Sequence, residues 1–152
     1  MILIAGIRDA DIDRVKALLP EHAFPDEQAV IDTAFAKGDM TVPEFAKALR
    51  ALRDDHGGPC GFGSGIAAGF FSAYLTMFPD SEVVVVKSDP RLAVDELIAD
   101  GHDAWACFRG VVMGYESIMR HVHDVPHVEI DMIAEPTDDE IIALLAEREP
   151  AA

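Results

Sequence analysis

The run EVVVVK at residues 82–87 constrains the fold more than any other segment of this chain. Four consecutive valines show no alternation of polar and apolar side chains, so a strand built from them must be covered on both faces. Such a strand belongs in the middle of a sheet that has helices on either side. The next residues read as one of those helices. Ser88 or Asp89 caps it, Pro90 sits in its first turn, Leu92, Ala93, Leu97 and Ile98 provide apolar contacts, and Gly101 ends it.

The same alternation extends in both directions. Residues 2–6, ILIAG, read as a short buried strand, after which Asp9 opens a helix with Ile12, Val15, Leu18 and Leu19 on one face before Pro20. A helix from 26 to 37 closes at Gly38. Thr41 and Glu44 then form a capping box, with Pro43 in the first turn, for a helix carrying Phe45, Leu49 and Leu52. Beyond Gly101 the pattern predicts a strand over 104–108, a helix over 115–122, a strand near 127–132 and a helix over 138–148, the last opened by a second capping box of Thr137 and Glu140. Short strands separated by helix-length segments require right-handed crossovers. The expected fold is therefore α/β, a mostly parallel four-stranded sheet flanked by helices in a three-layer sandwich of Rossmann-like or flavodoxin-like type. With no repeat, low-complexity segment or linker, residues 1–148 read as one domain and 149–152 as a frayed tail.

Composition narrows the partners. At 152 residues and 50% hydrophobic content the chain can bury roughly 70% of its unfolded surface. Its 28 acidic residues against 12 basic ones leave a formal charge of -16, which repels nucleic acid and anionic membranes alike. Neither is an expected partner. Cys60 and Cys107 are too few for a disulfide framework and lack zinc-site spacing, no signal peptide opens the chain, and no apolar run reaches about 18 residues. The expectation is a soluble cytoplasmic protein.

The segment with the most chemistry runs from His56 to Phe78, HGGPCGFGSGIAAGFFSAYLTMF. It sets glycines and a cysteine before an apolar helix, whose first backbone N–H groups make an anion site. In a parallel α/β sheet, helix N-termini share an edge with the C-terminal ends of the strands. That edge would gather Arg8 and Asp9, Lys87 with Ser88 and Asp89, Arg109 and Gly110, and Glu135. A phosphate or carboxylate held between Gly61, Gly63, Ser64, Gly65 and the cations Arg8, Lys87 and Arg109 follows from this placement. The competing expectation pairs those cations with Asp9, Asp89 and Glu135. The loop is not a dinucleotide fingerprint, because a polar helix ending RALRDDH precedes it where a strand is required, and it lacks the GK[ST] of a P-loop.

Cys60 supplies the enzymatic reading. A thiol near a helix N-terminus and cationic side chains is favoured as thiolate, and His56 is the nearest base in sequence. On this reading the chain is a cysteine-dependent transferase or hydrolase acting on a small anionic metabolite, with Cys107 approaching the same edge from the end of the third strand. The alternatives are a non-catalytic ligand-binding or regulatory domain using that edge, and a structural subunit of an oligomeric complex. The aromatic-rich helix over 66–78 fits subunit packing as well as core, and Trp105, Phe108, Met113 and Tyr115 fit an apolar pocket as well as core. A homo-oligomer is expected. His121, His123 and His127 are weak metal candidates, since residues two apart point to different faces of a helix; no metal is expected, and no cofactor is specified.

Overall fold

The computed structural model describes residues 1–38 and 40–148, so the expected frayed tail at 149–152 lies outside the described residues. Four parallel strands form one sheet: β1 (Ile2–Gly6), β2 (Gly61–Phe62), β3 (Glu82–Lys87) and β4 (Val128–Asp131), in the order β2-β1-β3-β4. Ile2 lies opposite Gly61 on one side and Glu82 on the other, and Val84 opposite Val128. The order reverses between β1 and β3. The crevice past their C-terminal ends is the place where open α/β sheets hold ligands.

Helices cover both faces, as the valine run requires. Ile2, Ile4, Val84, Val86 and Ile130 point to one side, against α1 (Asp9–Ala17) and α7 (Asp138–Leu145). Ala5, Ile7, Val83 and Val85 point to the other, against a 3-10 turn (Ile66–Phe70), α4 (Phe71–Met77), α5 (Pro90–Ala99) and α6 (Ala104–His121). Near β2 the second layer is completed by α3 (Val42–Asp54), whose Ala46 and Leu49 pack with Leu3, Phe62 and Tyr74; α2 (Gln28–Lys37) lies beside α3. Both capping boxes form, Thr41 with Glu44 and Thr137 with Glu140, and Asp89 caps α5 ahead of Pro90.

Three features depart from the sequence reading. The strand expected over 104–108 is the first part of α6, a single helix running through to His121. Asp103 starts it by accepting a hydrogen bond from the Ala106 N–H at 2.9 Å, and Cys107, Val111, Gly114 and Ile118 then fall on one buried face at helical spacing. The fourth strand is instead Gly61–Phe62, inside the glycine segment. The expected helix over 66–78 also divides, a 3-10 turn giving way to α4 after Phe70, next to Gly69, where glycine weakens a continuous helix.

Candidate functional site

The glycine segment is built by close packing. A Cβ at Gly63 would stand 2.7 Å from Ile4 Cβ and 2.8 Å from the Ile4 carbonyl oxygen, and one at Gly61 would run into the Ile2 and Phe24 side chains. Both glycines let β2 lie against β1. Three N–H groups of the segment are also in use. Gly61 donates to the Ala23 carbonyl at 2.8 Å, Gly65 to the Asp9 carboxylate at 2.7 Å, and Ala67 to the Ser64 hydroxyl at 3.2 Å. Asp9 thus occupies the amide that an external anion would need.

The cations of this edge are matched in the same way. Arg8, leaving β1 at the crevice, donates from Nε to Glu96 of α5 at 2.9 Å and from Nη1 to Asp11 at 2.9 Å. Its bonds to Glu96 raise its pKa most, with Asp11 contributing, so it is a fixed charge held between two carboxylates. Lys87 Nζ meets Glu129 at 2.7 Å, and that bond raises its pKa; Arg91 pairs with Asp89 at 2.7 Å. Ser88 Oγ, buried at the end of β3, has no hydrogen-bond partner among the described residues. Arg109 is not at a strand end. It lies exposed in α6, because the strand expected to deliver it is helix.

Cys60 stands at the other end of β2, before its first residue, where its carbonyl accepts from the Ile2 N–H. Its side chain is buried, its Sγ faces the Gly61 carbonyl at 3.9 Å, and burial pushes the thiol pKa up against the weaker pull of Arg53. His56 is exposed, with Nδ1 3.2 Å from the Leu52 carbonyl, and makes no hydrogen bond to Cys60 among the described residues. Cys107 is buried on the inner face of α6, and neither cysteine is in a disulfide. Among the described residues no three metal-ligating side chains gather, at His121, His123 and His127 or elsewhere.

The sequence reading missed Glu27. Its carboxylate is buried, accepts from the Tyr74 hydroxyl at 3.0 Å, and leaves Oε1 without a partner. Ser64 and the Gly63 amide lie near enough to favour its charge but fall short of bonding geometry, and burial prevails, raising its pKa. Burial, and after it the neighbouring Glu27, push the Tyr74 hydroxyl far above its ordinary range. Nothing local marks Glu27, since an acid just before a helix is commonplace. A shallow apolar groove nearby is lined by Ile31, Ala34, Met40, Phe45, Phe70 and Ala73, with Thr41 at its rim.

The molecule's least satisfied surface is the outer face of α6. Trp105 is 65% exposed, Met113 59%, Phe108 50%, Tyr115 44% and Val112 38%. None of these side chains belongs to the core, and Tyr115 lies close to Lys87 at the end of β3. Trp105 and Phe108 stack on each other, with ring centroids 5.8 Å apart.

No family model and no curated protein matches this sequence. Among solved structures, the chain is similar to the tunicamycin resistance protein of Deinococcus radiodurans. The TM-score is 0.54 over 99% of this chain and 98% of that one, with 14% of residues identical. That likeness is one of fold. No described helix is long and apolar enough to cross a membrane.

Proposed function

We propose that this chain is a non-catalytic interaction domain, a subunit that binds a protein partner through the outer face of α6. The observation that carries this reading is the exposure of five large apolar side chains along one helix of a chain whose formal charge is -16. Scattered exposed apolar residues need no explanation, but a contiguous patch marks an interaction surface. The thiol gives the enzymatic reading little support: Cys60 is buried, burial raises its pKa, and His56 makes no hydrogen bond to it among the described residues. A photoreactive amino acid at position 105, compared with one at Asp139 on α7, tests the proposal in the producing cell. Adducts are expected from position 105 and none from 139; no adduct from 105 overturns it.

A second reading keeps a small anionic ligand in the crevice between β1 and β3, on the strength of Ser88 Oγ. A carboxylate or phosphate would displace Glu96 from Arg8 and accept from Ser88. Inorganic phosphate would then raise the melting temperature of Glu96→Gln more than that of the native chain. An equal response of the two removes this reading.

A further inference from the structure

The apolar face of α6 has an internal order that its exposure alone does not express. Trp105, Phe108, Val112, Tyr115 and Met119 follow one another at intervals of three, four, three and four residues. This is the spacing of a coiled-coil seam, and it spans about 21 Å at 1.5 Å per residue. The residues that anchor α6 to its own domain, Cys107, Val111, Gly114 and Ile118, lie on a different face. A Cβ at Gly114 would come within 3.1 Å of Ala68, so the helix is pressed onto the 3-10 turn on that side. The seam is a second apolar stripe, exposed from Trp105 to Tyr115 and half-buried at Met119, and its spacing fits another helix.

Charge selects which helix. Between Ala104 and Tyr115 the chain has no acidic residue, although 28 of its 152 residues are acidic, so two copies repel each other less here than at a surface of average composition. Arg109 and Glu116 both flank the seam on the same side, one residue after Phe108 and one after Tyr115. Neither makes an ion pair within the chain among the described residues. When the same helix is laid antiparallel on itself about a two-fold axis near Met113, Val112 meets Tyr115 of the second copy and Phe108 meets Met119. The same operation sets Arg109 opposite Glu116 of the second copy, twice over. A parallel arrangement sets like charges level with each other and gains no such pair.

We infer that the partner at α6 is a second copy of this chain, packed antiparallel through Trp105, Phe108, Val112, Tyr115 and Met119, with reciprocal Arg109–Glu116 pairs. The inference rests on the interaction reading above and narrows it to a self-complementary interface. Trp105, the chain's one tryptophan, reports on it directly.

The test is sedimentation equilibrium of the purified full-length chain, with acrylamide quenching of Trp105 over the same concentration range. The native protein should sediment with twice the mass of one chain and lose quenching as it associates. Val112→Glu should weaken association by more than about 30-fold, the scale of an interface hot spot, while its far-ultraviolet circular dichroism stays unchanged. Arg109→Glu and Glu116→Arg should each weaken it, and the double variant should recover most of the loss. A monomeric native protein overturns the self-pairing, as does a dimer that survives Val112→Glu. A dimer that responds to Val112→Glu but shows no recovery in the double charge variant overturns the antiparallel register. If the purified chain is monomeric yet position 105 captures a different protein in the cell, the self-pairing falls and the interaction reading stands. If position 105 captures nothing, both fall.

Discussion

The C-terminal edge of the sheet and the outer face of α6 are opposites in chemistry. At the edge, Arg8, Lys87, Arg91 and the Gly65 amide all find partners within the chain, and Gly61 and Gly63 are pressed against Ile2, Phe24 and Ile4. On α6, apolar side chains are left to water, and Arg109 and Glu116 make no ion pair among the described residues. A polar edge whose cations are paired within the chain and an apolar face left open assign different work to the two regions. The edge should respond to substitution as folding machinery. The α6 face should respond only when a second molecule is present.

Gly63→Ala should have the largest effect on folding. Its Cβ would meet the Ile4 carbonyl oxygen, which belongs to the strand it pairs beside and has little room to move. A loss of about 3 kcal/mol is expected, at the upper end of overpacking costs, read as a lower urea midpoint with an unchanged slope. An unchanged midpoint would mean that the loop is free of β1, and would reopen it as a ligand cradle.

Arg8→Gln should come next, at about 2 kcal/mol. Asp11 is buried and Glu96 partly so, and removing the guanidinium leaves both carboxylates close together without their shared counter-charge. If Arg8 is instead held in reserve for a ligand, the substitution abolishes a phosphate-induced rise in melting temperature while costing little stability in its absence. The two outcomes separate a closed edge from an open one.

Glu27 sharpens the comparison from inside the edge. Burial raises its pKa above the ordinary 4.5, so between the unfolded and folded values the native chain holds a proton that the unfolded chain has released. Its contribution is therefore whole below the unfolded value and is lost as pH rises through the folded one. Glu27→Gln keeps an acceptor for the Tyr74 hydroxyl and removes this loss. The variant should gain about 1 kcal/mol relative to the native chain at neutral pH and nothing in mild acid. Urea denaturation at several pH values measures it. A constant difference across pH would show that Glu27 titrates as an ordinary carboxylate.

What could be read from the sequence divides along similar physical lines. β3, the Asp89 cap with Pro90, and the two Thr–Glu capping boxes are set by residues within a few positions of one another, so local pattern was enough to place them. Gly61–Phe62 is a strand only because Ile2 and Leu3 lie beside it, and two residues with flanking glycines look like a turn until that partner is in place. The first half of α6 misled for a related reason. Its inner and outer faces are both apolar, so AWACF carries no clear helical period, and only the Asp103 cap and the buried row from Cys107 to Ile118 declare it. The same misreading affects Arg109, which the sequence pattern sets at the end of a strand and the structure sets on α6. The Arg8–Glu96 bond joins residues far apart in the chain and had no local signal at all.

The smallest expected effect bears most directly on the contrast between the two regions. Trp105→Ser, measured by urea denaturation at concentrations where the chain is monomeric, should change stability by no more than about 0.5 kcal/mol, because a side chain 65% exposed contributes little to its own fold. Phe108 covers part of the ring, so the change should be a slight loss. A much larger loss would make Trp105 a core residue and remove the reason for assigning α6 a partner. A negligible one would leave an apolar stripe at coiled-coil spacing that the isolated fold does not require. Its apolar character would then be owed to contact with a second molecule, and the same substitution should lower the unfolding midpoint steeply once the concentration is high enough for the seam to be filled.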